Sequence, residues 1–266
     1  MTSATLVRPS VILPPRPLHL DATTWRTLLT QFGPSLGLWR AAEVAVLREC
    51  EYARPILDLG CGDGLVASLA LSQIEIGLDP NQPELDKAVQ TGVYASSIPL
   101  PIQAAGLADA SIGTVLSNSV LEHIPPIETV LQVIARVLRP GGRLIFTTPT
   151  EAFSPWLALP AARYAAWRNR ALMHLNLWPV ERWAAALARV GLEIQTVRPY
   201  LRRELVSFWD FLELGQQVRI GRRRPFGMAW RRLPSSTLER LARFAAGLDL
   251  ASAPPGGGRL IVAKKQ

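Results

Sequence analysis

The chain has 266 residues, 48% of them hydrophobic, with two cysteines and a formal net charge of +8, enough apolar material for one substantial core with an accessory lobe or for two modest domains. No charge-free apolar stretch approaches the roughly 18 residues of a membrane-crossing helix, and two cysteines exclude a disulfide framework or a zinc knot. The charge is uneven: residues 1–150 hold 10 Lys+Arg against 13 Asp+Glu and residues 151–266 hold 19 against 8, so attraction for anionic partners belongs to the C-terminal part.

The opening MTSATLVRPSVILPPRPLHL breaks its apolar residues with Arg and Pro, unlike a secretory signal, and with so few cysteines a reducing cytoplasm is the expected compartment. Residues 1–54 are expected to form an N-terminal extension and helical cover, because Leu38, Ala42, Ala45 and Val46 share one helical face. From Ile56 short apolar runs alternate with helical segments: ILDLG, IEIGLD at 74–79, VYAS near 93–96, IGTVLSN at 112–118 and RLIFTTP at 143–149. Such alternation predicts an α/β core over residues 55–200, a doubly wound, mostly parallel sheet covered on both faces. The clearest helix is 127–139, with Ile127, Val130, Leu131, Ile134, Val137 and Leu138 on one stripe, Pro125–Pro126 at its start and PGG at 140–142 as its stop. A right-handed crossover from it brings RLIFTTP beside IGTVLSN.

The rhythm loosens over 151–178 and returns at PVERWAAALARVGLEIQTV. Pro179 opens a helix there that buries Val180, Trp183, Ala184, Leu187 and Val190, Gly191 ends it, and a strand follows. Residues 201–256 read as a basic, aromatic insertion, a substrate lobe, with an amphipathic helix near 236–248 that carries Leu238, Leu241, Ala242, Ala245 and Leu248. Residues 257–266, in GGGRLIVAKK, return to the core as its last strand.

The stretch ILDLGCGDG runs a strand into Gly60, Gly62 and Gly64, leaving backbone amides facing open space above the sheet edge. Its G-C-G-D-G spacing differs from the G-x-G-x-x-G of a dinucleotide-binding turn. A merely flexible turn would account for the glycines but not for Asp58 and Asp63; Cys61 reads as a small residue in a tight loop. Asp79, 19 positions after Gly60 at the tip of the next strand, suits both hydroxyls of a ribose, the alternative being a turn residue before Pro80.

Taken in order, LDLGCGDG, GLDP, LSNSVLEHI and LRPGGRLIFTTP resemble the class I S-adenosylmethionine-dependent methyltransferases, especially the small-molecule and lipid-acting branch that includes quinone-biosynthesis methyltransferases. The resemblance covers about residues 55–150 and resumes at 180–198. It implies a seven-stranded Rossmann-like methyltransferase fold, S-adenosyl-L-methionine as cofactor, and methyl transfer to oxygen or carbon of a small-molecule or lipid-like acceptor. By position, it implies that Asp58, Gly60, Cys61, Gly62 and Gly64 surround the methionine part, that Asp79, followed by Pro80, holds the ribose, and that Ser117 and Asn118 stand at the cofactor edge. Family members often carry an acid at the end of the third strand to contact adenine; VYASSIPL offers Tyr94, Ala95, Ser96 and Ser97 instead, leaving adenine to Ser96, the backbone or stacking.

Methyl transfer from a sulfonium needs alignment, exclusion of water and, for some acceptors, removal of a proton. His123 is a candidate general base, with a structural histidine at a helix start as the alternative. His174, in MHLNLWP, is a candidate for the substrate-side wall, and His19 is expected in solvent. No N-P-P-Y follows the fourth strand, which argues against base N-methylation; neither cysteine is positioned for carbon-5 methylation, and no metal site is expected. Finally, VRIGRRRPFGMAWRR at 218–232 and WLALPAARYAAWRNRAL at 156–172 interleave arginines with aromatics, and six of the eight tryptophans follow residue 150. This composition suits peripheral contact with an anionic membrane surface at its inner face, RNA, or an ordinary solvated face. An RNA-directed methyltransferase, a cofactor-binding protein without turnover and a nucleotide-cofactor oxidoreductase stay open as alternatives.

Overall fold

The computed structural model describes residues 11–219, 221 and 224–266; expectations that fall on residues 1–10 and on Ile220, Arg222 and Arg223 lie outside the described residues. In chain order the elements are α1 (Ala22–Arg48), β1 (Ile56–Leu59), α2 (Leu65–Ala70), β2 (Ile74–Leu78), α3 (Gln82–Gln90), β3 (Tyr94–Ile98), β4 (Ile112–Asn118) and α4 (Ile127–Val137). They continue with β5 (Leu138–Pro149), α5 (Ala162–Ala171), α6 (Val180–Ala188), β6 (Leu192–Tyr200), α7 (Arg203–Gln217), α8 (Pro225–Arg231), α9 (Ser235–Ala246) and β7 (Gly258–Lys265).

The strands form one seven-stranded sheet in the order β3-β2-β1-β4-β5-β7-β6. All pairs from β3 to β5 are parallel, and β7 runs antiparallel to both of its neighbours. Side-chain alternation divides its residues between two cores, as a sheet covered on both faces requires. Ile56, Leu116, Ile145 and Leu260 pack with α1, α7 and α9, whereas Leu57, Val115, Leu144, Phe146 and Ile261 pack with α4 and α6. Each aliphatic side chain fully buried this way contributes about 1.5–3 kcal/mol. As expected, α4 leads into β5, which lies parallel to β4 with Val115 opposite Leu144.

The N-terminal cover is α1, whose start is capped by Asp21 accepting the Thr24 amide at 2.8 Å. It turns at Gly33 (φ 76°, ψ −175°), followed by Pro34, which has no amide to continue the ladder. Beyond the turn it buries Trp39, Ala42, Glu43, Val46 and Leu47.

Three expectations need correction. The fourth-to-fifth-strand helix ends at Val137, and Leu138 is already paired with Ile112, so the PGG at 140–142 lies inside β5. There Gly141 takes φ 75° and a Cβ on Gly142 would stand 2.8 Å from the Arg139 carbonyl oxygen, so PGG turns within the strand, where the register with β4 shifts between Ile112 and Thr114. The third strand begins at Tyr94, one residue later than expected. In α9 only Ala242 and Ala245 are buried and Leu241 is exposed, a narrower stripe than the sequence pattern implies.

The unrhythmic stretch 151–178 holds α5 and packs with the insertion that carries α7, α8 and α9. Asp210 of α7 does the tying: its Oδ1 takes the Arg168 Nε–H at 2.8 Å, and its Oδ2 takes the Ala158 amide at 3.0 Å and the Tyr164 hydroxyl at 2.6 Å.

Candidate active site

At the carboxyl edge of the sheet a cavity of about 240 Å³ opens over the β1–α2 loop, its walls including Asp58, Cys61, Gly62, Asp63 and Asn118. The loop turns on Gly60, Gly62 and Gly64, all at positive φ (74°, 52° and 72°), where side chains with a Cβ are strained. Gly60 and Cys61 donate their amides to the Leu78 carbonyl oxygen at 2.7 and 3.1 Å, tying the loop to β2. A Cβ added at Gly62 meets no atom within 4 Å, so the α-carbon of Gly62 borders open space.

Asp58 shares a strand face with Ile56 and is buried, its Oδ2 accepting the Tyr94 hydroxyl at 2.7 Å. Burial pushes its carboxyl up to about 7; the Tyr94 hydrogen bond opposes this and Asp79 adds to it. A carboxylate in that condition gains most from a cationic ligand. Asp79 follows the tip of β2 and accepts the Gly62 amide at 2.9 Å and the Asn81 amide at 2.8 Å. Burial also raises the Cys61 thiol far above its ordinary range, so it stays protonated and unreactive in the loop.

A second cavity, about 300 Å³, adjoins the first and shares Arg40 and Ser119 with it. Trp39, Phe153 and Trp209 form its aromatic side, with ring centroids 5.3–5.7 Å apart. Its polar residues include Glu122, His123 and His174. The two histidine rings stack with centroids 5.6 Å apart. Burial, with His123 and Arg168 nearby, drives His174 down to about 3, so it is neutral at physiological pH.

The structure therefore brings Asp58, Gly60, Cys61, Gly62 and Asn118 to one cavity and His123 and His174 to its neighbour. Gly64 supports the loop from behind, where an added Cβ would stand 2.7 Å from the Tyr94 ring. Ser117 does not line the cavity: it is fully buried and its hydroxyl donates to the Leu59 carbonyl oxygen at 3.1 Å. Ser96 and Pro80 are exposed, and the Ser96 hydroxyl donates to the Glu75 carbonyl oxygen at 2.9 Å within the sheet. His19 is exposed as expected.

Sequence reasoning passes over Glu43 and Arg40 of α1. Glu43, entirely buried, accepts from Trp39 Nε1 at 2.9 Å, Arg40 Nη1 at 2.6 Å, Asn118 Nδ2 at 3.0 Å and Ser119 Oγ at 2.5 Å. It thereby fastens the N-terminal cover to the end of β4 where the two cavities meet. Its signal in the sequence is an acid one turn from Trp39 on the apolar side of LGLWRAAEVAVL. A larger cavity of about 410 Å³, bounded by Arg16, Glu49, Arg143 and Lys264, lies among mutually paired charges away from this edge.

Comparison with known proteins agrees with this geometry. Residues 37–197 match the methyltransferase domain family. The ubiquinone biosynthesis O-methyltransferase of Pectobacterium carotovorum subsp. carotovorum is 27% identical over 153 residues, which are 54% of this chain and 64% of that protein. The chain thus spans just under two thirds of that curated relative's length. Among solved structures, a methyltransferase of Thermotoga maritima described as a possible histamine N-methyltransferase aligns with a TM-score of 0.58 at 14% identity, covering 91% of this chain and all of that one. An S-adenosylmethionine-dependent methyltransferase of Mesorhizobium loti aligns with a TM-score of 0.54 at 18% identity, covering 86% and 100%. With the family match extending over more than half of the chain, through the glycine loop and the ends of β2 and β4, this protein belongs to the methyltransferase domain family.

Proposed function

We propose that the protein transfers a methyl group from S-adenosyl-L-methionine to oxygen or carbon of a small-molecule or lipid-like acceptor. The observation that carries this is the pair of adjoining cavities joined at Arg40 and Ser119, one above a bare glycine loop with a buried carboxyl and the other walled by aromatics. When bound, S-adenosylmethionine supplies a methyl group already activated on a sulfonium.

The chain's own residues bind, orient and keep water out. Asp58 answers the ammonium and sulfonium charges, and Arg40, the permanent cation on the cavity wall, answers the carboxylate. Asp79, already holding the Gly62 and Asn81 amides, has lone pairs left for the ribose hydroxyls. Ser96 stands off the cavity, so adenine is left to the main chain and to stacking beside β3. His123 and His174 stand on the acceptor side, and the aromatic wall excludes water and raises the strength of each polar contact.

A lipid-like acceptor is supported by the surface near the second cavity. Leu159, Trp167, Phe208 and Phe211 are exposed around the Asp210 tie, with Met173 and Leu175 beside the cavity wall. Arg163, Arg170 and Arg203 are exposed on the same helices. Such a face suits peripheral contact with an anionic membrane; among the described residues no helix is long and apolar enough to cross one.

The test is calorimetry with S-adenosylhomocysteine, followed by transfer of a labelled methyl group into fractionated lipids and small metabolites. Micromolar binding and a labelled organic-soluble product are expected. Stabilisation by NADH in place of S-adenosylhomocysteine in a thermal-shift assay would overturn the reading. Flotation with phosphatidylglycerol vesicles that persists in high salt is expected for apolar insertion, whereas binding to RNA would fall steeply with salt.

A further inference from the structure

The acceptor-side cavity contains a buried acid to which nothing so far assigns a role. Glu122 is 1% exposed, belongs to the short helical turn Leu121–His123 after β4, and its Oε2 has no hydrogen-bond partner among the described residues. An unpartnered buried carboxyl oxygen is costly and requires a reason. Its other oxygen lies 3.8 Å from His123 Nε2. His123 Nδ1 stands 3.0 Å from the Met173 carbonyl oxygen, which can only accept, so in the neutral ring Nδ1 carries the hydrogen and Nε2 the lone pair. The ring is partly exposed and lines the cavity. His123 Nε2 thus offers a base to the cavity, with the Glu122 carboxyl beside that same nitrogen.

We propose that Glu122 and His123 form a proton-accepting pair for a hydroxyl acceptor, His123 Nε2 taking the proton and the Glu122 carboxylate holding the resulting charge. This rests on the methyl-transfer reading. The step balances: the acceptor oxygen loses its proton to Nε2, its electron pair forms the new bond to the methyl carbon, and the pair of the breaking carbon–sulfur bond stays on sulfur. The charged and titratable groups facing Glu122 are Arg40 and Glu43 from α1, Tyr200 from β6, and His123 of its own turn; His174 lines the cavity beside His123, with Arg168 near His174. Burial, reinforced by Glu43 and opposed by Arg40, raises Glu122 to about 8. Glu122 is therefore mostly the neutral acid below that pH and the carboxylate above it, so the pair is strongest on the alkaline side, and His123 takes a proton from a phenol or enol, whose ordinary range is near ~10, far more readily than from an aliphatic alcohol. His174, held neutral, adds no competing charge.

Glu122 acts through His123 and is therefore a positioning residue. The test uses 4-nitrocatechol, whose absorbance reports its ionisation, bound to the full-length protein saturated with S-adenosylhomocysteine. With the wild-type protein, the bound dye is expected to ionise at a pH below that of the free dye. With Glu122→Gln, the ratio of ionised to neutral bound dye at fixed pH should fall about tenfold, a shift of about one pH unit, while S-adenosylhomocysteine affinity is unchanged. Glu122→Asp should restore part of the shift. His123→Gln, at a partly exposed site, should reproduce the loss if Glu122→Gln folds poorly. Equal ionisation in wild type and both variants, or no dye binding to the wild-type complex, overturns the proposal. Failure of S-adenosylhomocysteine itself to bind instead removes the methyl-transfer reading and this inference with it.

Discussion

The Tyr94 hydroxyl donates a 2.7 Å hydrogen bond to Asp58 Oδ2, reaching from edge strand β3 across β2 to β1. The ring passes over Gly77, where an added Cβ would lie 2.8 Å from it. Gly77→Ala must push the ring aside, and Tyr94→Phe removes the donor while keeping the packing. Both variants should weaken S-adenosylhomocysteine binding about tenfold in calorimetry, the scale of one hydrogen bond to a charged group. Unaltered affinity in Tyr94→Phe would mean that Asp58 does not contact the ligand.

Cofactor affinity should depend on pH through the same carboxyl. Free, Asp58 titrates near about 7 because of burial; an ammonium beside it favours the carboxylate and lowers that value. Below pH 7 binding must therefore expel a proton, so affinity rises up to about tenfold per pH unit toward 7 and levels off above it. Calorimetry in two buffers of different ionisation enthalpy should register that proton. Stability of the unliganded protein moves the other way. Its Asp58 keeps a proton that the unfolded chain releases near 3.8, so this group's contribution falls as pH rises from about 4 to about 7, read as a declining melting temperature.

Glu43→Ala should be among the most damaging single changes. It leaves the Arg40 guanidinium, the Asn118 amide and the Ser119 hydroxyl without their shared acceptor, and removing one partner of a buried ion pair costs about 3–5 kcal/mol. Glu43→Gln keeps the shape, so its loss should be smaller in thermal melts, and S-adenosylhomocysteine binding should hold or tighten, because Arg40, freed of its counter-charge at the cavity wall, attracts the ligand carboxylate more strongly.

The sheet was legible because buried strands and amphipathic helices write their periods directly: ILDL, IGTVLSN and the start of the helix at Ile127 fall where expected, although that helix stops at Val137 and Leu138 opens β5. The glycine loop was legible because positive φ has few alternatives to glycine. What the pattern could not carry was contact at long range. Glu43 meets Ser119 across 76 positions, and nothing local to either residue announces the pairing. Ser117 and Ser96 failed for a related reason: position along a strand gives depth at the sheet edge, but only packing decides that one hydroxyl turns down to Leu59 and the other to Glu75. The PGG at 140–142 does turn, with Gly141 at φ 75°, but it does so inside a strand whose pairing with β4 resumes at Arg143.

Asp210→Asn tests whether the second cavity depends on the tie between α5 and α7. Arg168 and Asp210 are 2% and 0% exposed, so neutralising the acid strands a buried guanidinium that also lies 5.3 Å from the Trp209 ring centroid. A destabilisation of about 3–5 kcal/mol is expected for breaking such a pair from one side, visible as a lower denaturant midpoint. The local consequence is more informative. Ala171, Leu172, Met173 and His174, which line the second cavity, follow directly from the helix that Arg168 anchors, while the glycine loop shares no contact with that tie. The folded variant should bind S-adenosylhomocysteine with wild-type affinity in calorimetry and lose binding of 4-nitrocatechol several-fold. Equal loss of both ligands would show that the two cavities are coupled through more than Arg40 and Ser119.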